Sequence, residues 1–407
     1  MGEKPGVAAM RFVHAPDIGS AKQILRQLAQ TPVVCAPRKV EKPLVLYGAG
    51  NLGRMAKQYF EQIGIPIKYA VDSNPEPHRS DLFWAGVDII SPEDAPPRER
   101  SEFLLAICVA TTQFSRLSAE LGSLGWADRV PFYDIAEAYR DRNPLGNGWF
   151  SGKLGQADIE NIELVLSGWQ DDISRAHHLQ FIAWHALRED WLFDDAPVTI
   201  GDRYFIPEVI SLLRSDEIFC DLGAHHAEVI LRFMQIMENR FKEIWAIEPD
   251  MMNLSLLRAE LQKFKPEIMK KIHVLACAVG AQEGRENFFH GLGYVSQLCD
   301  LGQHLVEVTT IERLGLEPTF IKLHLEGGEL DAMRGGVQSL KRCRPIIAAT
   351  TYHNRLGLWE VQKWLMDELT NYKFHFRLHS WCGTGAVVYG IPGERPTQGK
   401  SNEMPIM

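Results

Sequence analysis

The chain has 407 residues, of which 45% are hydrophobic and 23% are charged, and its formal net charge is -9. This length exceeds one ordinary compact core, so the sequence predicts two domains of roughly 100–200 residues each. The composition is typical of a globular protein and unlike that of a disordered or fibrous chain. Because a negative protein repels a phosphate backbone and the sequence has no basic patch, we expect no nucleic-acid partner.

Membrane and metal signals are weak. The N-terminus has no long apolar segment, and nowhere do about 18 uncharged apolar residues run together as a membrane span requires. We therefore expect a cytoplasmic protein without a membrane span. The seven cysteines are scattered without a CxxC pair, which favours reduced structural thiols. The pairs His177-His178 and His225-His226 lack structural-zinc spacing, so the sequence predicts no metal site. It indicates no oligomeric state.

The N-terminal part begins with apolar residues at helical spacing over residues 20–30, followed by a proline-containing stretch. We expect residues 1–42 to be a helix and linker. From residue 43 short apolar strands alternate with amphipathic helices, which predicts a mostly parallel sheet of about five strands over residues 43–140.

A glycine motif, LYGAGNLGR, follows the first strand of this unit and begins its first helix. Glycines in G-x-G-x-x-G let the backbone approach a phosphate, and the helix N-terminus offers it free N–H groups. Asp72 lies near the spacing of about 20 residues at which an acid accepts ribose hydroxyls. The unit resembles small nucleotide-binding domains found beside sugar-modifying enzymes. We predict a Rossmann-like domain that binds a nucleotide or nucleotide-sugar through Gly48, Gly50, Asn51, Leu52, Gly53 and Asp72.

A plainer interpretation of this motif stays open. The glycines could serve only close packing between strand and helix, and Asp72 could serve only to cap the turn that follows it. Because the unit has no catalytic partner of the dehydrogenase type, hydride transfer is less favoured than nucleotide recognition.

The rest of the chain divides into three segments. Turn-rich sequence after residue 140 leads into a helical stretch, which predicts a helical bridge over residues 141–197. A second alternation of strands and helices occupies residues 198–393 and leaves a tail at 394–407. Within it, IHVLACAVG is expected to be one strand and VEVTTI another.

Strand ends in this second unit carry the more specific signal. FCDLGA places Asp221 and Gly223 at the end of its first strand, and WAIEPD places Glu248 at the end of the next. A glycine at that turn allows a ligand to approach the backbone, and a carboxylate one strand along can accept both hydroxyls of a ribose.

Motifs in order make residues 198–392 similar to the FkbM family of S-adenosylmethionine-dependent methyltransferases. They are DLGAHHAEV, AIEPDMMNLSLL, ACAVGAQEG, VTTIERL and IKLHLEGGELDAMRGG. The resemblance implies a class I methyltransferase fold, a seven-stranded α/β sheet with helices on both faces. It also implies S-adenosylmethionine as the methyl donor and a hydroxyl of a sugar, glycan or small-molecule natural product as the acceptor.

The resemblance also assigns site residues by position. The residues expected to bind the cofactor lie at the two strand ends, in the turns after them and in the ACAVG segment. They are Asp221, Gly223, Ala224, His225, Glu248, Pro249, Ala278 and Val279. Lys322, His324 and Glu326 are expected to be catalytic, with Glu329 and His353 on the acceptor side. An imidazole with an ordinary pKa near 6.5 is neutral at pH 7, so we expect His324 to accept the proton of the acceptor hydroxyl.

Departures from the family pattern fall on this site. His225 stands where the family has Asn, Ala227 where it has Gly, and His324 where it has Asp. Thr350 likewise replaces a Glu. Two alternatives therefore stay open: a non-catalytic ligand-binding protein with a degenerate methyltransferase site and, less favoured, an NAD-dependent oxidoreductase that uses the Gly48 loop.

Overall fold

The computed structural model describes residues 7–143, 145–289 and 296–395. The first elements are strand β1 (Ala9–Phe12) and helix α1 (Ile18–Gln30). The helix begins after Asp17, whose carboxylate accepts a hydrogen bond from the Ser20 backbone N–H at 2.7 Å and so caps its first turn. The apolar face predicted for residues 20–30 is buried.

The first α/β unit contains a five-stranded sheet in which all neighbouring strands are parallel. Its elements are β2 (Leu44–Tyr47), α2 (Asn51–Gln62), β3 (Ile67–Val71), α3 (Glu76–Arg79), β4 (Ile89–Ile90), α4 (Pro97–Glu102), β5 (Leu104–Ile107), α5 (Phe114–Ser123), β6 (Asp128–Pro131) and α6 (Phe132–Ala138). The strand order is β4-β3-β2-β5-β6. Every residue of β2 and β5 is buried, as expected for parallel strands covered on both faces.

The segment between the two units consists of α7 (Gln156–Gly168), α8 (Asp172–Leu187) and β7 (Asp190–Phe193). Strand β7 pairs with β1, and α1 packs on α7 and α8. The same hydrophobic core joins these helices to the large sheet of the second unit. The N-terminal helix and the predicted bridge therefore pack with that unit as part of its core.

The second unit contains a seven-stranded sheet and a smaller four-stranded sheet. Its elements are α9 (Pro207–Ile210), β8 (Ile218–Leu222), α10 (Glu228–Ile236), β9 (Glu243–Ile247), α11 (Met251–Leu261), α12 (Pro266–Met269), β10 (Ile272–Leu275), β11 (Ala278–Val279), β12 (Gly284–Phe289), β13 (Gln297–Leu298), β14 (His304–Thr309), α13 (Ile311–Leu314), β15 (Phe320–Leu323), α14 (Glu329–Arg334), α15 (Val337–Cys343), β16 (Ile346–Thr350), α16 (Glu360–Glu368), β17 (Tyr372–Leu378) and β18 (Ala386–Pro392).

The large sheet has the strand order β10-β9-β8-β15-β16-β18-β17, and β18 is antiparallel to both of its neighbours. Successive residues of a strand alternate between two hydrophobic cores. In β16, Ile346 and Ala348 face one core, while Ile347 and Ala349 face the other. Helices thus cover both faces, and the seven-stranded α/β sheet expected from the sequence is confirmed.

The small sheet corrects one expectation about the strands. IHVLACAVG is divided into β10 and β11, and VEVTTI contributes β14 to the small sheet, in the order β11-β14-β12-β13. Glu307 of β14 is exposed and pairs with Arg285 of β12 at 2.5 Å. A strand with charged, exposed side chains does not suit a central parallel sheet, which is buried on both faces. Within the described ranges, no helix is both long enough and apolar enough to cross a membrane.

Candidate functional site

A single cavity of about 1120 Å³ lies between the two units. Both predicted glycine turns open into it, one at Gly48 and Gly50 and the other at Gly223. Both turns follow strands that are parallel to their neighbours, β2 and β8, and the carboxyl ends of such strands are where α/β proteins bind ligands. Small-molecule sites usually measure about 300–1,000 Å³, so this cavity is slightly larger than the upper end of that range.

The turn after β8 requires a glycine. Gly223 has φ +80°, and a Cβ built on it would overlap the carbonyl oxygen of His324. The backbone N–H groups of Gly223 and Ala224 both donate to the Ile247 carbonyl, at 2.9 and 3.0 Å. The turn is therefore held against the ends of both β9 and β15.

A buried ion pair supports this turn from below. The Lys322 amino group lies 2.7 Å from an Asp221 carboxylate oxygen and donates to the Gly223 carbonyl at 2.7 Å. Burial raises the pKa of Asp221, and the lysine opposes that shift. The sequence predicted a catalytic role for Lys322. That role stays a prediction, and the contacts of the amino group hold the Gly223 turn in place.

Glu248 lies at the end of β9, is 5% exposed and lines the cavity. Its two carboxylate oxygens accept hydrogen bonds from the backbone N–H groups of His225 and Asp250, each at 2.9 Å. Burial is the main cause that raises the pKa of this carboxyl above its ordinary value. Oε1 also accepts a long hydrogen bond from the Asn253 side-chain amide at 3.4 Å. Oε2 therefore keeps a free lone pair for a ligand hydroxyl, and Oε1 can accept a second one in place of that amide.

The other predicted cofactor residues surround the same space. Ala224, His225, Pro249, Ala278 and Val279 all line the cavity. Ala227, which replaces the family glycine, adopts φ +72°, and its methyl group is buried in the core beneath the turn. The alanine therefore tolerates the left-handed conformation without filling the cavity, although that conformation costs roughly 1–2 kcal/mol.

The predicted acceptor side centres on His324, which follows the end of β15. Its Nδ1 lies 2.9 Å from the Tyr204 hydroxyl, and its Nε2 lies 3.2 Å from the Tyr352 hydroxyl and 3.0 Å from Glu326. Burial lowers the pKa of His324 to about 3. The imidazole is thus neutral at pH 7, as expected, but it is a weak proton acceptor.

Behind His324 lies a buried group of acidic side chains and histidine. His353 contacts Glu329 at 3.0 Å and Glu326 at 3.4 Å. Burial alone would lower the pKa of His353, but the two carboxylates raise it well above its ordinary value. Thr350, which replaces a family glutamate, donates to Glu329 at 2.7 Å. The predicted residues Glu326, Glu329 and His353 are therefore brought together with His324.

Two site residues escaped the sequence analysis. Arg203 donates to the Tyr352 hydroxyl at 2.7 Å, and its guanidinium lies 5.0 Å from the Tyr204 ring centre. Both Arg203 and Tyr204 line the cavity and precede α9, outside the strand ends on which the motifs lie. Their segment is held there by a hydrogen bond from the Tyr204 N–H to the Tyr389 hydroxyl at 2.9 Å, a contact that no spacing reveals.

The glycine turn of the first unit combines packing with an open face. A Cβ on Gly53 would overlap the Gly48 carbonyl, whereas a Cβ on Gly50 would meet no atom within 4 Å. Asp72 accepts backbone N–H groups of Ala49 and Asn74 at 2.7 and 2.8 Å. Gly53 thus serves close packing between strand and helix, and Asp72 caps the turn that follows it, as in the purely structural interpretation of the motif. Gly50 leaves space on the cavity side.

The remaining predicted residues of this turn, Asn51 and Leu52, also line the cavity, as does Asp72. The structure therefore brings five of the six predicted nucleotide-binding residues, all except the packed Gly53, to the same space as the cofactor turn of the second unit.

The order of the seven-stranded sheet and the glycine turn after β8 agree with the class I methyltransferase fold that the sequence resemblance implies. Residues 221–377 match the family model described as the methyltransferase FkbM domain. No curated protein matches the sequence.

Solved structures extend the likeness to the whole chain. Methyltransferase FkbM from Methylobacillus flagellatus KT is similar over 93% of this chain and 94% of its own, with 18% identity and a TM-score of 0.59. That likeness shows a common fold. Precorrin-6y C5,15-methyltransferase from Geobacter metallireducens GS-15 aligns over 49% of this chain and 95% of its own, with 16% identity and a TM-score of 0.29. TrmK from M. capricolum, solved with S-adenosyl-homocysteine, aligns over 48% and 70%, with 12% identity and a TM-score of 0.26. The last two scores are too low to establish a shared fold.

Proposed function

We propose that this protein transfers a methyl group from S-adenosylmethionine to a hydroxyl oxygen of an acceptor bound in the cavity between the units. One observation carries the proposal: the fixed Glu248 carboxylate and the Gly223 turn share a cavity with His324 and the two tyrosines that contact it. A donor and an acceptor could therefore lie side by side in one space, and such positioning supplies much of the rate of a two-substrate reaction.

The residues at the strand ends suit S-adenosylmethionine. Glu248 would accept the ribose hydroxyls, and the Gly223 turn would lie along the methionine part, where a side chain on residue 223 has no room. Pro249, Ala278 and Val279 provide an apolar wall for the adenine. The bound cofactor supplies an electrophilic methyl group on its sulfonium sulfur.

On the acceptor side, Tyr204, His324 and Tyr352 present hydroxyl and imidazole groups to the cavity. These groups can orient a hydroxyl by hydrogen bonds. His324 as the proton acceptor stays a prediction, and its lowered pKa makes positioning of the acceptor the better supported role.

We further propose that the first unit holds a nucleotide or another phosphate-bearing part of the acceptor, such as a nucleotide-sugar. The twelve-residue helix α2 begins at the turn and directs its N-terminus to the cavity wall. Asn147 lines the same cavity, is 5% exposed, and its side-chain oxygen has no hydrogen-bond partner among the described residues. A ligand donor could satisfy that oxygen.

The methyl-transfer proposal is tested with the full-length protein. We expect calorimetry to show S-adenosylmethionine binding, and label from its methyl group to enter one of a panel of UDP- and GDP-sugars and their free sugars. Binding without turnover across the panel would favour the non-catalytic alternative. Reduction of NAD with no methyl transfer would favour the oxidoreductase, and failure to bind S-adenosylmethionine would overturn the proposal.

The nucleotide proposal predicts a selective effect of Gly50→Val. The new side chain has room in the protein but projects where the ligand would lie. We expect affinity for UDP-glucose or GDP-mannose, whichever binds the unaltered chain, to fall by at least roughly tenfold, or about 1.4 kcal/mol. Affinity for S-adenosylmethionine should stay within about twofold, and calorimetry measures both.

The matched control is Gly284→Val, at another glycine whose Cβ would meet no atom within 4 Å but which does not line the cavity. It should leave both affinities unchanged. If Gly50→Val binds the sugar nucleotide normally, or if neither probe binds the unaltered chain, the turn serves packing alone.

A further inference from the structure

Three metal-ligating side chains meet at the wall of the cavity. His324 and Glu326 follow β15, and His353 follows β16. The Glu326 Oε1 atom lies 3.0 Å from His324 Nε2 and 3.4 Å from His353 Nε2, and the three ligand atoms lie within 4.8 Å of one another. His324 and Glu326 line the cavity itself, so a group held between the three would be open to a ligand.

The hydrogen bonds of His353 fix which ring nitrogen carries a proton. Its Nδ1 lies 3.0 Å from Glu329 Oε1, an oxygen that already accepts from the Thr350 hydroxyl and the Leu325 N–H. Because an ionised carboxylate only accepts, Nδ1 is the donor. Nε2 faces the Glu326 carboxylate at 3.4 Å, and the raised pKa of His353 means that Nε2 carries a proton there in the metal-free chain. A divalent cation can take the place of that proton, because it supplies the positive charge that the lone pairs of both groups would then face.

The same carboxylate is left incompletely paired. Within the described residues, Glu326 Oε2 has no hydrogen-bond partner, although Glu326 is only 9% exposed. His353 Nε2 has only the 3.4 Å contact with Glu326 Oε1. Buried polar atoms are nearly always paired, and an exception asks for a ligand or an ion. Glu326 also adopts φ +51°, an uncommon conformation for a residue with a side chain, and strained residues of this kind cluster at binding sites.

The spacing suits an ion at the centre. Zn²⁺ binds histidine nitrogen and carboxylate oxygen at about 2.0–2.2 Å, which places neighbouring ligand atoms about 3.0–3.5 Å apart. The two measured separations, 3.0 and 3.4 Å, lie in that range. Two imidazoles with one carboxylate form a ligand set that transition metals occupy with positions left open. The contact between His353 and Glu329 is the outer carboxylate–histidine contact that orients a metal-binding ring.

We propose that His324 Nε2, His353 Nε2 and the Glu326 carboxylate bind a divalent transition-metal ion, with Zn²⁺ as the probe ion. The sequence predicted no metal site because these residues are close only in the fold.

A second cluster of possible metal ligands consists of Asp171, Glu208 and His375, but it already has a cation of its own. The Arg377 guanidinium lies 2.8 Å from both of its carboxylates and supplies the positive charge there.

The ion would have a role in the proposed methyl transfer, and this step rests on that function. Held beside the acceptor hydroxyl, a Lewis acid lowers its pKa. The hydroxyl proton leaves to solvent as the oxygen–methyl bond forms, and the methyl–sulfur bond breaks with its electron pair staying on sulfur. The weak basicity that burial gives His324 would then be no obstacle.

Metal binding is tested without cofactor or acceptor, so its result is separate from that of the proposed function. Full-length protein is stripped with EDTA and titrated with Zn²⁺ by calorimetry, and with Co²⁺ by visible absorption. We expect one equivalent to bind. Glu326→Gln and His353→Gln should each weaken binding by more than about a hundredfold, and Glu329→Gln, which alters only the outer contact, by about 10–100-fold. His14→Gln, at a histidine whose side chain is 80% exposed, is the matched control and should change nothing.

Several outcomes would overturn the metal site. These are no Zn²⁺ or Co²⁺ binding by the unaltered protein, binding of Mg²⁺ in preference to both, or unchanged Zn²⁺ affinity in correctly folded Glu326→Gln or His353→Gln. If those variants do not fold, the Co²⁺ absorption of the unaltered chain decides, because bands typical of water-only coordination would exclude histidine ligands. Methyl transfer that persists at full rate in EDTA would leave the proposed function standing and remove the role of the ion.

Discussion

Glu248→Ala should weaken binding of S-adenosyl-homocysteine by roughly 10- to 100-fold in calorimetry. The substitution removes a buried carboxylate whose position is fixed by two backbone N–H groups and which faces the cavity. Loss of charge-assisted hydrogen bonds to two ribose hydroxyls costs about 1.5–3 kcal/mol, which corresponds to that range. The demethylated product is the better probe because it cannot react during the titration.

Glu243→Ala is the matched control. Glu243 is the first residue of β9, the strand that Glu248 directly follows. Its carboxylate accepts a hydrogen bond from the Trp245 ring N–H at 3.0 Å, and it does not line the cavity. It should leave the affinity unchanged. Glu248→Ala also frees the His225 and Asp250 N–H groups, so circular dichroism must show an intact fold. An intact Glu248→Ala variant with unaltered affinity would remove Glu248 from the cofactor site.

Local signals were sufficient for most elements, except for the break between β10 and β11, and they bring the residues predicted for the cofactor side to one place. Asp221 is the second-to-last residue of β8, Gly223 and Glu248 directly follow β8 and β9, and neighbouring parallel strands end at the same edge of a sheet. Sequence order alone therefore brings these residues together. The glycine itself marks the turn in the sequence. The structure gives the reason for it, because residue 223 has a positive φ and a Cβ there would overlap the His324 carbonyl oxygen.

The acceptor side could be predicted only in part, because its contacts cross the chain. His324 and Glu326 were found through one motif, but the contact between Glu326 and His353 joins two strand ends, and Arg203 and Tyr204 arrive from a segment before the sheet. Hydrophobic periodicity and motif spacing do not reveal contacts between residues that are this far apart in the sequence. For the same reason, no motif or spacing in the sequence indicates that the two glycine turns share one cavity.

That shared cavity depends on how the two units are joined, and a buried ion pair joins them. Arg188, at the end of α8, lies 2.7 Å from Asp134 of α6, with side-chain exposures of 2% and 9%. The guanidinium also donates to the Gly148 carbonyl at 2.7 Å, next to the cavity-lining Asn147. One side chain thus connects the bridge helix, the first unit and the segment between them.

Arg188→Met should lower the free energy of unfolding by about 3–5 kcal/mol, because it leaves the Asp134 carboxylate buried without its partner. The measurement is the shift of the urea midpoint for the full-length chain. The matched control is Arg98→Met, which breaks the pair with Glu102, whose side chains are 84% and 54% exposed. An exposed pair contributes at most about 1 kcal/mol, so the control should shift the midpoint little.

A double variant separates the charge from the packing. If the cost of Arg188→Met comes from an unpaired buried carboxylate, then Asp134→Leu added to it should recover most of the lost stability, since apolar replacement of a whole buried pair is often neutral. If the cost instead comes from the lost hydrogen bond to the Gly148 carbonyl, the double variant should be no more stable than Arg188→Met alone. A midpoint for Arg188→Met equal to that of Arg98→Met would show that this ion pair does not hold the two units together.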